Sequence, residues 1–243
     1  MCSASTDTRG GCLMESSIRK NWLVAAIAAI LVVVALVLVV SIATKTHQQL
    51  IGKQTHNDLK WIGRALHQYH DRHGKFPPVA IRDEQGRPIH SWRSLIQRDL
   101  ADVVETDDDF REYDLSQPWD SETNRNADTK HRFGNHPYQF LAIVGPNAAW
   151  DHQGTRSTAD FADRGGTALV IGVRNTGIRW GEPADAHVSD GGMLTVDGRN
   201  LDLTRDVFLL TADGAVRYAR DGIPAAAWSA LVTINAAETV PEW

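Results

Sequence analysis

Cysteine is almost missing from this chain. Of 243 residues only Cys2 and Cys12 are cysteine, so everything after residue 12 must be stabilised without disulfides, even in an oxidising compartment. A basic excess is missing too. The chain has 25 Lys and Arg against 30 Asp and Glu, for a formal net charge of −5, and after residue 44 the tally is 22 against 28. That leaves no basic face for nucleic acid. No Gly-x-Ser-x-Gly elbow, Walker loop or dinucleotide fingerprint is present, and no internal repeat. Nothing in these patterns argues for catalysis, and a non-enzymatic protein is expected, with no cofactor and no resident metal.

Charge is missing altogether from Trp22 to Ala43, a run of 22 residues whose only hydroxyl is Ser41. As a helix it covers about 33 Å, enough to cross a bilayer core of about 30 Å. A helix satisfies its own backbone groups in lipid. The run exceeds a secretory h-region, about 7–15 residues, and no small-x-small site follows it, since Thr44, Lys45, Thr46 and His47 come next. An uncleaved anchor is expected. Counted widely, Arg9, Arg19 and Lys20 do not outweigh Lys45, Lys53, Lys60 and Arg64, but close in Arg19 and Lys20 face Lys45 alone. A short cytoplasmic tail and a large domain outside are expected on the near count. The expected organisation is a tail over 1–17, an anchor over 18–44 and an extracytoplasmic domain over 45–243.

The helix is expected to outlast the membrane. From Thr44 to His73 there is no proline, and Leu59, Ile62, Leu66 and Tyr69 recur at spacings of three and four. One helix from about Ser17 to His73 follows, with Gly74 as its C′ residue and Pro77-Pro78 preventing continuation. Asp83 to Gly86 closes a loop or small hairpin, and His90–Leu100 has a helical pattern. Residues 101–130 are acidic and polar and read as irregular. Tyr138–Val144, Thr167–Val173, Val207–Thr211 and Ala215–Ala219 read as strands, the last two joined by a hairpin at Asp213-Gly214. Gly181–Leu201 reads as a long loop, and Pro224 opens a helix running to about Ile234.

The segment HNDLKWIGRALHQYHDRHGKFPP (His56–Pro78) resembles the hallmark of a large planctomycete family of pseudopilin-like proteins, defined by domain of unknown function 1559 and similar to type II secretion pseudopilins. Its usual Asn-Leu-Lys-x-Ile-Gly-x-Ala-Leu-His-x-Tyr-His pattern is met except that Asp58 stands for Asn. His90-Ser91-Trp92-Arg93, Pro118-Trp119-Asp120-Ser121, the Trp180, Pro183 and Asp185 element, and Phe208–Val216 are similar to the family's later motifs, in order. The resemblance spans roughly 44–235. It implies an α+β fold of type IV pilin type, a long N-terminal helix with an antiparallel sheet packed on its upper half, in the inner membrane of the envelope. It implies no known activity. The N-terminus departs from the family: Gly10, Gly11 and Glu15 do not reproduce a prepilin cleavage site, Arg19 and Lys20 interrupt the apolar run, and Trp22–Ala43 has no glutamate that could drive subunit assembly. Asp163-Arg164-Gly165-Gly166-Thr167 only partly matches an Asp-Gly-Thr-Ser-Asn element.

Several groups could serve as ligands, and each also has a structural role open to it. His67, His70 and His73 form H-x-x-H-x-x-H beside Asp71, but on a helix i+6 turns through about 600° and leaves the face. Histidines also suit the C-terminal end of a helix. Asp190, Asp197 and Asp202 have calcium-type oxygens but fit no EF-hand spacing, and Asp107-Asp108-Asp109 reads as a solvated loop. The residues expected to matter are therefore structural. Leu59, Ile62, Leu66 and Tyr69 dock the helix on the sheet. Trp92 and Trp119 anchor the connecting region, with Asp120 and Ser121 bonded to the local backbone. Asp213 and Gly214 make the last hairpin. The expected function is a membrane-anchored envelope protein with a structural or interaction role. The alternatives are a solute- or glycan-binding module, marked by exposed tryptophans near the Gly181–Leu201 loop, and a subunit of a pilus-like assembly. Expected partners are the bilayer through 22–43 and other pilin-like subunits or envelope components, with no nucleic acid.

Overall fold

A computed structural model describes residues 9–104, 112–130, 132–151, 156–161, 166–189 and 193–234. The chain forms two compact units, 1–51 and 52–243, and the first helix, α1 (Arg9–His73), contributes to both. It begins eight residues before the expected Ser17, because Leu13, Met14 and Glu15 are good helix formers and no proline interrupts them. In the first unit the side chains from Ala25 to Leu50 are exposed, and this helix is the one among the described residues long and apolar enough to cross a membrane. Three of its hydroxyls are satisfied within the helix: Ser41 Oγ donates to Val37 O, Thr44 Oγ1 to Ser41 O and Thr46 Oγ1 to Ile42 O.

In the second unit the chain continues through β1 (Ala80–Arg82), β2 (Pro88–Ser91), α2 (Trp92–Leu95), α3 (Gln97–Val104), α4 (Glu122–Lys130), β3 (Tyr138–Val144), β4 (Ala168–Arg174), β5 (Ala186–Val188), β6 (Leu194–Val196), β7 (Arg199–Asn200), β8 (Val207–Thr211), β9 (Val216–Ala219) and α5 (Ala225–Val232). β1 and β2 form a separate hairpin. The other seven strands form one sheet in the order β7-β6-β5-β3-β4-β8-β9. All neighbours are antiparallel except β3 and β5, which run parallel.

Helices cover both faces of the central strands, which explains why β3, β4 and β8 are almost continuously apolar. Side chains alternate along each strand. Leu141, Ile143, Ile171, Val173, Val207 and Leu209 share a buried cluster with Ala227, Trp228 and Leu231 of α5. Phe208 and Leu210 point to the opposite face, toward α1. There Gly63 brings the helix backbone so near β8 that an added Cβ would lie 2.8 Å from Leu210 Cδ1. Leu59, Ile62, Ala65 and Leu66 are fully buried on this side. The helix ends with Gly74 at φ +73°, its N–H donating to His70 O at 2.7 Å, as a left-handed C′ residue does.

The expected α+β fold with its long N-terminal helix and antiparallel sheet is found, and three details differ. The irregular stretch over 101–130 contains α4, hidden because its face is polar; Ser121 caps it by accepting from the Asn124 N–H at 3.2 Å. The expected loop over 181–201 contains β5, β6 and β7. Its hairpin turn is Asp197-Gly198, with φ of 49° and 74°, the same dipeptide chemistry that identified Asp213-Gly214. Finally, the sheet contains a parallel pair: β5 is short, and its approach to β3 is set by buried contacts far away in sequence.

Candidate functional site

A densely bonded point of the domain lies where the β2–α2 junction meets the segment before β5. Arg93 is buried, and its guanidinium donates to five oxygens: Nε to Trp180 O (2.8 Å), Nη1 to Phe140 O (2.9 Å) and Asp185 Oδ1 (2.7 Å), Nη2 to Glu182 O and Ala184 O (3.0 Å). All five N–H groups are used. Asp185 Oδ1 also accepts from Trp92 Nε1 at 3.0 Å and the Ala142 N–H at 2.7 Å. Burial pushes the Asp185 carboxyl above its ordinary value, while Arg93 and the two N–H donors act against that shift. Ser91 Oγ caps α2, accepting from the Arg93 N–H, and donates to Trp180 O at 3.0 Å. A parallel-strand neighbour is thereby pinned to β3 by side chains 92 residues away.

A second network sits beside it. His90 Nε2 donates to Leu115 O (3.0 Å), which leaves Nδ1 to accept from the Tyr113 hydroxyl (2.9 Å). Burial lowers the His90 pKa and pushes Tyr113 up to about 12. Gly181 allows this packing, because an added Cβ would meet the Tyr113 ring and hydroxyl at 2.9 Å. Asn124 closes the loop after residue 113: its amide donates to Asp114 O, Gln117 O and Pro118 O, and its oxygen accepts from the Asp114 N–H.

Helix α1 is clamped by two ion pairs. Arg72 meets Asp99 through two contacts, 2.6 and 2.7 Å, with Asp99 fully buried. Asp58, also fully buried, lies 2.6 Å from Arg132 Nη2 and 3.1 Å from His136 Nε2. The Tyr138 N–H donates to His136 Nδ1 at 3.1 Å, which places the ring proton on Nε2, facing Asp58. Arg132 lies 4.2 Å over the Trp61 ring.

The expected site residues fall as follows. Leu59, Ile62 and Leu66 are buried, while Tyr69 is half-buried against His73, ring centroids 4.2 Å apart. Trp92 is buried in the Arg93–Asp185 network. Trp119 is half-buried, and its N–H donates to Ile89 O at 2.9 Å. Asp120 is exposed, and the local bonds expected of it are made by Ser121. Asp213 Oδ1 accepts from Thr211 Oγ1 (2.6 Å) and the Ala215 N–H (3.0 Å), and Gly214 takes φ +84°. The three histidines have different surroundings: His67 near Phe76 and Gly214, His70 accepting from the Thr158 N–H, His73 on Tyr69. Asp202 accepts from Thr204, and Asp197 forms the β6–β7 turn. Cys2, Asp107 to Asp109, Asp163 to Gly165 and Asp190 to Gly192 lie outside the described residues, as do the side chains of Cys12, Glu15, Arg19 and Lys20. Among the described residues no three potential ligand side chains converge on a metal position. The described tryptophans of this unit are buried or half-buried.

Asp99, Tyr113, Asn124, Arg132 and His136 carried no motif signal. They become visible only when the fold brings them to partners distant in sequence. One open cleft of about 560 Å³ lies beside α4, lined by Glu122, Arg125, Asn126, Asn135 and Arg179 with Asp128 at its base.

A family model described as protein of unknown function, DUF1559, matches residues 53–224. No curated protein and no solved structure matches the chain. The chain belongs to the DUF1559 family, and the match covers the buried half of α1, the whole sheet and both motifs that meet at Arg93 and Asp185.

Proposed function

We propose that this member of the DUF1559 family is a non-enzymatic envelope protein of pseudopilin-like type, fixed as a single-pass protein in the inner membrane of a planctomycete-like bacterium, with its α+β domain outside the cytoplasm as a scaffold or interaction module. The observation that carries this reading is α1 itself. One helix holds both an uncharged run of 22 residues and the buried face Leu59–Leu66 on which the sheet is built. A helix used this way serves as anchor and core element together, which is the design of pilin-like proteins.

The partners of three buried carboxylates, Asp58, Asp99 and Asp185, support a structural role. Arg93 with Asp185, Arg72 with Asp99, and Asp58 with Arg132 and His136 are each spent on joining elements. Catalytic groups, in contrast, need access to a substrate.

Intact-mass measurement on the protein extracted from its native membrane tests the reading. Retention of the full 26.8 kDa chain is expected. Loss of about ten residues with a methylated new N-terminus would replace it with the pilus-like assembly subunit, because prepilin processing leaves that product. Protease added outside spheroplasts should digest the domain while leaving the tail protected; a protected domain overturns the orientation.

A further inference from the structure

The cleft beside α4 borders the buried networks through Asp128 and the Gly181 backbone, but its lining chemistry differs from theirs. Its volume of about 560 Å³ is in the range of small-molecule sites, roughly 300–1,000 Å³. Apart from Gly134, its lining residues are all polar or charged, and their carbon stems supply its apolar surface. α4 contributes one polar face, Glu122, Arg125 and Asn126, at the three- and four-residue spacing that brings side chains together. Asn135 and Arg179 form the other wall.

Two features give the cleft the character of a binding site rather than a solvated crevice. Arg125 and Arg179 are exposed, and among the described residues neither guanidinium has an ion-pair or hydrogen-bond partner. The backbone that carries them is nevertheless fixed: the Arg179 N–H donates to Glu182 Oε2 at 3.0 Å, and the Arg125 N–H donates to Ser121 O at 2.9 Å. In addition, Asp128 is buried at the base, where its Oδ2 accepts from the Gly181 N–H at 2.9 Å. Asn135 is oriented by donating from Nδ2 to Thr129 O at 2.8 Å, so its acceptor oxygen is left for a ligand.

We propose that this cleft binds an acidic saccharide, with Arg125 and Arg179 holding the sugar carboxylate and Asn126, Asn135 and Glu122 holding ring hydroxyls. Guanidinium groups match carboxylates through paired N–H···O bonds. Amide and carboxylate side chains present donors and acceptors that suit hydroxyls, which both donate and accept. The carbon stems of these side chains can pack on a sugar ring, but no aliphatic or aromatic residue is present to build a pocket for a lipid tail. A zwitterion would need an anionic group for its ammonium, and Asp128 is already engaged by Gly181, leaving Glu122 alone.

Titration calorimetry on the full chain in zwitterionic-lipid nanodiscs tests this, with digalacturonate, maltose and glycylglycine as probes. Saturable binding of digalacturonate is expected, weakened about tenfold or more by Arg125→Gln and by Arg179→Gln. The melting temperature should stay unchanged in both variants, since both side chains are exposed. Absence of digalacturonate binding overturns the proposal. Binding of maltose as tight as that of digalacturonate removes the carboxylate from it, and tighter binding of glycylglycine replaces the saccharide with a zwitterion. Variants that bind like the parent chain place the ligand elsewhere. None of these outcomes bears on the anchor or the orientation, which the mass and protease measurements address separately.

Discussion

Arg93 and Asp185 stand 92 residues apart in sequence and 2.7 Å apart in the fold, with 2 % and 3 % of their side chains exposed. Their pairing joins α2 to the segment that leads into β5. Removing one partner strands the other as a buried charge, which costs about 3–5 kcal/mol. Arg93→Met and Asp185→Leu should each lower stability by about that much in denaturant titration. The double substitution should cost clearly less than the sum, because the stranded charge is gone. Additive losses would mean that Arg93 acts mainly through its four backbone carbonyl contacts.

Much of this architecture was legible in the sequence, for reasons that are local. β3 was readable with its boundaries as found, as an apolar run between turn residues, and so was β8. The helical face through Leu59, Ile62 and Leu66 followed from periodicity, and the last hairpin from Asp213-Gly214. Local chemistry also misled. α4 has few apolar residues, so no periodic signal marked it, and Asp197-Gly198 was lost among neighbouring glycines and aspartates. The motifs around Trp92-Arg93 and Trp180–Asp185 could be recognised one by one. Their convergence could not, since it depends on the order of strands in the sheet. The cleft was unreadable for the same reason, because α4, Asn135 and Arg179 come from three separate stretches.

Gly63 sets how closely α1 approaches β8. An added Cβ would lie 2.8 Å from Leu210 Cδ1, and Leu210 is fully buried, so the leucine has little freedom to move away. Alanine gains up to about 1 kcal/mol of helix propensity over glycine, while overpacking a dense core costs about 1–3 kcal/mol. Gly63→Ala should therefore destabilise by up to about 2 kcal/mol, and Gly63→Leu by more. The informative measurement is the double-mutant cycle with Leu210→Ala. The space opened at 210 should make Gly63→Ala neutral or stabilising, whereas independent effects would show that the helix stands further from β8 than the structure indicates.

Tyr113 predicts a loss of stability in alkali. Burial pushes its pKa from the ordinary 10.0 up to about 12, so the fold prefers the protonated phenol. The stabilisation is complete below about pH 10 and is lost as pH rises through about 12, because the unfolded chain releases its proton first. Tyr113→Phe removes the donor to His90 Nδ1 and should lower stability at pH 7. It should also flatten the decline between pH 10 and 12 in denaturant titrations. Tyr69, Tyr138 and Tyr218 are also shifted upward, burial being the largest cause for each, so some slope should persist. An unchanged slope in the variant would place the Tyr113 hydroxyl in solvent.

The β8–β9 hairpin is held by a turn whose parts can be separated by substitution. Gly214 N–H donates to Thr211 O and the Thr211 N–H to Ala215 O, both at 2.9 Å, so Asp213 occupies the third position of the turn that precedes the left-handed Gly214. Proline at that position would force Ala212 out of the helical region the turn requires. It would also delete the acceptor for Thr211 Oγ1 and the Ala215 N–H. Asp213→Ala, which removes only the side-chain bonds, should cost about 1 kcal/mol, and Asp213→Pro about 2–3 kcal/mol. The order should be visible as a stepwise fall in melting temperature. The effect should reach beyond the turn, because β9 places Tyr218 against Phe208, centroids 4.5 Å apart, and Phe208 lies on the face that α1 covers. Loss of the hairpin would thus loosen the helix-facing side of the sheet. An unchanged melting temperature in Asp213→Pro would mean that β9 contributes nothing to the stability of that face.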